Sequence, residues 1–195
     1  IVNDHGFTFI GPKINHIENM ANKIKAKALA KKIGLPIIPG SENNIENLNE
    51  AKKVSEKIGY PVIIKSTNGG GGRGIKIVKN ENELKKNLEL AKKEAEQSFG
   101  NNEVYIEKYI QNPRHIEIQI IGDKFGNIIH LGERECSIQR RNQKIVEECP
   151  SPVITEHERK RICNLTLEAM NKIKYFNLGT VEYLYKDGNF YFIEM

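Results

Sequence analysis

Cysteine is scarce in this sequence. Three are present, Cys136, Cys149 and Cys163, and no two form a C-x-x-C pair. An odd count with that spacing argues against a disulfide framework or a structural zinc site, and points to reduced thiols in a cytosol-like compartment. No apolar run reaches the ~18 residues a membrane helix needs. No basic-then-apolar leader opens the chain. No G-K-[ST] opens a helix after a glycine loop, so a Walker A loop is excluded. No Ser/His/Asp or Cys/His triad and no metal-binding histidine pair is evident. An initiating methionine is missing too. The chain starts at Ile1 and stops at Met195, directly after an apolar strand pattern, so we expect a fragment of a longer protein.

What is present fits a folded, soluble polypeptide. A length of 195 residues suits one ordinary domain or two small lobes. Mean hydropathy is −0.52 and apolar spacing is regular, which excludes a disordered chain. Lys and Arg number 30 against 25 Asp and Glu, a net charge of +5. Most lysines alternate with glutamates along helical stretches, the pattern of a solvated face. One compact basic cluster, Gln139 to Lys144, is bracketed by Glu133, Glu135, Glu147 and Glu148. Acid so close on both sides argues against nucleic acid and for a small anion.

Periodicity divides the chain into α and β segments. Residues 14–33 and 46–58 read as helices ended by Gly34 and Gly59. Residues 61–65 and 75–78 read as strands around a glycine run, followed by a helix over 81–98. Strands are expected at 103–109, 114–121 and 127–132. In the second of these, Ile116, Ile118 and Ile120 face one way and His115, Glu117 and Gln119 the other. Thr155-x-x-Glu158 is a capping box opening a helix to about 174. A hairpin closes the chain from Thr180 to Met195. Hairpins mixed with single helices predict an α+β fold with antiparallel sheets.

Three groups carry chemistry. In Lys65 to Gly74, glycines between two short strands let backbone N–H groups converge on an anion, and Lys65 supplies a mobile charge. This resembles a flap over phosphates more than a linker. In the terminal hairpin, Glu182 and Glu194 are the only strand carboxylates. A two-residue Asp187-Gly188 turn would put them on opposite faces. A three-residue loop (Lys186, Asp187, Gly188) would bring them diagonally onto one face, ~7–8 Å apart, able to share Mg²⁺ beside phosphates. We expect the three-residue loop. In the basic cluster, Lys144 with Arg140 or Arg141 can hold a small oxyanion; the alternative is a surface salt-bridge network with the bracketing glutamates. His115, alone on its strand, reads first as an ordinary hydrogen-bonding residue.

The stretches 59–75 (GYPVIIKSTNGGGGRGI), 104–120 (VYIEKYIQNPRHIEIQI), 132–152 (GERECSIQRRNQKIVEECPSP) and 179–195 (GTVEYLYKDGNFYFIEM) together resemble biotin carboxylase. That is the ATP-grasp component of acetyl-CoA carboxylase and related biotin-dependent carboxylases. The resemblance covers essentially the whole chain. It implies an ATP-grasp fold: residues 1–36 as the tail of an N-terminal Rossmann-like domain with a linking helix, 37–109 as a lid lobe, and 110–195 as a truncated core lobe. It also implies that ATP phosphorylates bicarbonate to carboxyphosphate, which then delivers CO₂ to biotin on a biotin carboxyl carrier protein.

By matching position, Lys23 and Lys65 would contact ATP phosphates, and Gly71 and Gly72 would belong to the flap. Glu107, Lys108, Tyr109 and Ile110 would form the adenine-side hinge, with His115 and Gln139 near the ribose and base. Lys144 would sit at the bicarbonate site, and Glu182 and Glu194 would bind Mg²⁺ or Mn²⁺. Asn142, near the nucleotide, stands where many bacterial members carry histidine and resembles the cyanobacterial and chloroplast form. The family's N-x-R-x-Q-V-E-H segment, which follows the terminal E-M, lies beyond Met195, so this stretch alone is expected to be inactive.

The resemblance further implies a carboxyltransferase partner, a homodimer and a role in fatty acid synthesis, in a cytoplasm or a plastid. Propionyl-CoA and pyruvate carboxylases share this component. The rival readings are a carbamoyl-phosphate synthetase-like ligase and a non-catalytic nucleotide-binding module.

Overall fold

The computed structural model describes residues 1–68 and 74–195. Gly71 and Gly72, assigned above to a phosphate flap, lie outside the described residues.

The helix expected over 14–33 is two helices, α1 (Ile14–Ala21) and α2 (Lys23–Ile33). Asn22 separates them. Its backbone is extended (φ −100°, ψ 121°), and its side chain accepts from the N–H groups of Ile24 and Lys25. An Asn side chain offers the backbone this alternative to continuous helix, and apolar periodicity carries no sign of it. Gly34, at φ 96°, ends α2.

After α3 (Leu48–Ile58) come β1 (Val62–Ser66), β2 (Lys76–Val78), α4 (Glu81–Phe99) and β3 (Val104–Lys108). The three strands form an antiparallel sheet in the order β2-β1-β3. Val62, Ile64, Val104 and Ile106 pack there against Ala51, Leu84, Leu88, Ala91 and Ala95.

A larger antiparallel sheet follows, of β4 (Arg114–Gly122), β5 (Ile128–Arg140), β6 (Gln143–Glu148), β7 (Asn177–Lys186) and β8 (Asn189–Glu194). Its order is β6-β5-β4-β7-β8. Helix α5 (Glu156–Lys172) covers one face, and its capping box at Thr155 and Glu158 is formed as expected. Ile116, Ile118, Ile120, Val181, Tyr183, Phe190 and Phe192 are buried on that face with Ile162, Ala169 and Met170 of α5. The opposite face carries the polar residues.

Two expectations about this sheet need correction. The strand placed at 127–132 continues to Arg140 and returns as β6, so the basic cluster is the tip of a hairpin. Arg141 (φ 53°) and Asn142 (φ 64°) both adopt the left-handed turn conformation there. The terminal hairpin does not use the three-residue loop. Asp187 (φ 48°) and Gly188 (φ 79°) form a two-residue turn, with Lys186 opposite Asn189. Two consecutive positive φ values match the twist of paired strands. A bulge then restores what that turn would have lost. Tyr183 pairs with Phe192 but Glu182 with Glu194, so Ile193 is the extra residue and the two glutamates stand directly opposite.

One extended segment ties the sheets together. Ile37 bridges to Phe192 in parallel, and the Phe192 N–H donates to Pro36 O at 2.7 Å. A few residues on, Gly40 bridges to Glu107, the Lys108 N–H donates to Pro39 O and the Ser41 N–H to Ile106 O, each at 2.8 Å. Residues 36–41 thus form an edge beside β8 of one sheet and β3 of the other.

Candidate active site

The open face of the large sheet carries a row of charge written by strand register. Arg134 of β5 pairs with Glu117 of β4, Glu117 with Glu182 of β7, and Glu182 with Glu194 of β8. Directly opposed residues share a face, so one arginine and three carboxylates line up across four strands. Each carboxylate has a cation. Arg134 Nε donates to Glu117 Oε1 at 2.6 Å. Lys144 Nζ donates to Glu117 and, at 2.7 Å, to Glu182 Oε1. Lys23 Nζ, from the first turn of α2, donates to Glu194 Oε2 at 3.1 Å.

His115 stands beside this row. Its Nε2 is 2.9 Å from Glu182 Oε2, and its Nδ1 is 3.1 Å from Gln139 Nε2. The Nε2 approach to Glu182 is a close contact without hydrogen-bond geometry, while Nδ1 stands within hydrogen-bond distance of the Gln139 amide. Burial alone would raise the Glu182 pKa, but His115 and Lys144 outweigh it and hold the carboxylate down at about 2. Burial likewise opposes the Lys144 charge, and Glu117 and Glu182 overcome it, raising its pKa. The Cys136 thiol is pushed up to about 12 by burial and by Glu117, which disfavours the thiolate.

Lys65 lies on the smaller sheet, near the end of β1. Its Nζ donates to Glu107 Oε2 at 2.9 Å, and Lys27 donates to Glu107 Oε1 at the same distance. Glu107 is buried; desolvation works against its charge, and Lys65 and Lys27 together hold its pKa below the usual carboxylate value. Lys108 turns away from this group and donates to Gly59 O and Tyr60 O at 3.0 and 2.9 Å. The Tyr109 N–H donates to Pro61 O at 3.1 Å, and Ile110 is half-buried beyond it. The Lys23 N–H approaches Thr67 O at 3.4 Å, which sets the N-terminus of α2 against the end of β1.

The structure therefore brings Lys144, His115, Gln139 and Glu182 into one cluster, with Glu194 and Lys23 next along the row. It does not bring Arg140 to Lys144. Gln139 pairs with Lys144 and Arg140 with Gln143, one step along, so strand alternation turns Arg140 to the other face. Arg141 and Asn142 are exposed at the turn. Of the bracketing glutamates, Glu147 alone among the described residues joins the cluster, through Arg134 and Glu117 to Lys144. Glu133 and Glu135 point under the sheet, to Arg159 at 2.7 Å and Arg114 at 3.0 Å, and Glu147 pairs with Arg134 at 3.3 Å.

Three residues of the site carry little or no mark in the sequence. Glu117 lies on the polar side of its strand, and an acid between His115 and Gln119 on that face is its one signal. Arg134 and Lys27 carried none, because their contacts depend on register and on the packing of α2.

The donor set fits a hard divalent cation. Glu182 and Glu194 are opposed on one face, and each accepts from a lysine ammonium group. Ligand atoms of His115, Glu117 and Glu182 also lie within 4.8 Å of one another, with the Lys144 ammonium bonded to both carboxylates.

Residues 22–195 match the family described as carbamoyl-phosphate synthase L chain, ATP binding domain. The chain belongs to that family. This ATP-binding domain is 50% identical over 193 residues to biotin carboxylase 1, chloroplastic, of Populus trichocarpa, covering 98% of the chain and 37% of the relative. It is 50% identical over 192 residues to pyruvate carboxylase of Staphylococcus aureus, covering 98% of the chain and 17% of that protein. Among solved structures it is similar to the biotin carboxylase domain dimer of Hydrogenobacter thermophilus 2-oxoglutarate carboxylase, in complex with MgADP, ADP and bicarbonate. The TM-score there is 0.92 at 49% identity, over 99% of this chain and 43% of that one. The fold is thus ATP-grasp, of class α+β, and the chain spans less than half the length of each of these proteins.

Proposed function

We propose that this chain is the ATP-binding part of a biotin carboxylase, which uses ATP and bicarbonate to carboxylate biotin on a biotin carboxyl carrier protein. The observation that carries the reading is the position of Lys144: a half-buried ammonium between Glu117 and Glu182, near His115 and Gln139, on the open face of the large sheet. Residues 37–109 act as the lid lobe and 110–195 as part of the core lobe, after a tail and linking helix over 1–36.

Lys23 and Lys65 bind phosphate oxygens, with Gly71 and Gly72 in the covering flap. The Glu107–Ile110 stretch borders the adenine, and His115, Gln139 and Asn142 border the ribose and base. Lys144 holds bicarbonate, and Arg141, at the turn, is the arginine left to join it. Glu182 and Glu194 hold Mg²⁺ or Mn²⁺, which supplies charge neutralisation at the phosphates. The side chains' own contribution is electrostatic: ammonium groups fixed by carboxylates before the substrate arrives need no reorganisation when phosphoryl charge moves.

We further propose that the half-reaction serves acetyl-CoA carboxylase in fatty acid synthesis, in a cytoplasm or plastid, with a carboxyltransferase partner and a homodimeric enzyme. Relatives named as pyruvate and 2-oxoglutarate carboxylases mark the alternative acceptors. The test is Lys144→Ala in the intact protein. Bicarbonate-dependent ATP hydrolysis should fall more than about 100-fold, as when one preorganised charge contact is lost, while ATP affinity stays within about threefold. Equal loss of both would make Lys144 structural. ATP hydrolysis that answers to bicarbonate but not to biotin would favour a carbamoyl-phosphate synthetase-like ligase.

A further inference from the structure

Glu107 holds two lysines where one would neutralise it. Its oxygens are divided: Oε1 accepts from Lys27 and Oε2 from Lys65, both at 2.9 Å. The carboxylate is 7% exposed, and the Lys27 and Lys65 side chains 13% and 20%. The group carries a net charge of +1 in a place where charge is poorly solvated. A buried pair of one lysine and one carboxylate would be closer to electrostatic balance. Nothing assigned so far explains the second lysine.

The backbone is arranged to admit it. Lys27 reaches Glu107 past Gly40, which bridges to Glu107 in the edge segment. A Cβ on Gly40 would collide with the Ile106 carbonyl oxygen and stand 2.9 Å from Lys27 Nζ. Lys27 also lines the cleft between α2 and α3, with Lys31 and Lys57 on the rim and Ile24, Val54 and Ile58 on the walls. The Lys27 side chain borders this cleft and ends on the carboxylate.

We propose that Lys27 is a positioning residue for the nucleotide phosphates: by occupying one oxygen of Glu107 it leaves Lys65 attached through the other alone, poised and incompletely neutralised. This rests on the nucleotide reading above. Without Lys27, both carboxylate oxygens compete for the Lys65 ammonium, which is drawn back into a neutral pair. The phosphate side then loses one unit of positive charge and its mobile donor together. The adenine side, bounded by backbone from Glu107 to Ile110, loses nothing. The two ends of the nucleotide should therefore respond differently, which a packing role for Lys27 would not produce.

The experiment is calorimetric binding of ATP and of adenosine to the intact protein, unaltered and as Lys27→Met and Lys27→Arg. Lys27→Met should weaken ATP about tenfold and leave adenosine within about twofold, and Lys27→Arg should restore ATP to within about threefold of the unaltered protein. Unchanged ATP affinity in Lys27→Met overturns the inference, as does adenosine affinity falling in step or an arginine that does not rescue. If the unaltered protein binds neither ligand, the nucleotide reading itself fails, and this inference fails with it.

Discussion

Glu182 concentrates the electrostatics of the open face. Its carboxylate is held at about 2, against 4.5 for an ordinary glutamate, because His115 and Lys144 outweigh the effect of burial. A depressed carboxylate stabilises the fold fully above its unfolded value and loses that contribution as the pH falls through the folded one. A shift of that size corresponds to about 3 kcal/mol, shared with its partners and lost between about pH 4.5 and pH 2. Urea midpoints over that window should fall more steeply for the unaltered protein than for Glu182→Gln. Parallel curves would mean that other carboxylates set the acid limb. A second residue-scale prediction concerns Tyr183. It is fully buried, its hydroxyl lies 2.8 Å from Thr166 Oγ1, and its ring packs edge-on against Phe190 and Phe192. Tyr183→Ala should cost about 3–5 kcal/mol in denaturant unfolding, the range for a large buried ring.

At the scale of elements, local signals and pairing divided the work. The start of α5 was legible because Thr155 and Glu158 satisfy each other's backbone donors within four residues, with no help from the rest of the chain. Thr155→Ala should therefore cost about 1 kcal/mol of stability, read by chemical denaturation, and leave nucleotide binding untouched. The terminal hairpin was legible in kind but not in register. A bulge at Ile193 depends on how β8 lies against β7 and against the 36–41 edge, which no turn motif encodes. The turn itself can be tested separately. Gly188 sits at φ 79°, and a Cβ there meets only Glu158 Oε1 at 3.6 Å, so the strain of a side chain is conformational. Gly188→Val should destabilise by about 1–2 kcal/mol, and an unchanged urea midpoint would show that the turn can adopt another form.

Among the described residues there are two packed cores, tied by a shared edge and by α2. The helices over each sheet bury separate clusters, and residues 36–41 hydrogen-bond to β8 and to β3. Lys23 reaches Glu194 from α2, and Lys27 of the same helix reaches Glu107, so one helix spans the cation positions of both sheets. Gly40→Ala strikes that joint against backbone, which cannot yield as a side chain can. The expected result is a loss of about 2 kcal/mol or more and unfolding in two steps as the cores separate. A single transition at the original midpoint would show that the edge does not couple them.

The sequence by itself determined the α+β class and most of the helices and strands. Those properties are local: periodicity, caps and glycine-rich turns act within a few residues. It also placed His115 and Glu117 on the polar side of their strand, because alternation is a property of one strand alone. Only the tertiary structure decided that Glu182 opposes Glu194, that Lys144 joins Glu117 and Glu182 while Arg140 turns away, and that Lys27 shares Glu107 with Lys65. Each of those depends on register between strands far apart in sequence, or on a helix broken at Asn22, where a one-residue shift moves a side chain to the opposite face.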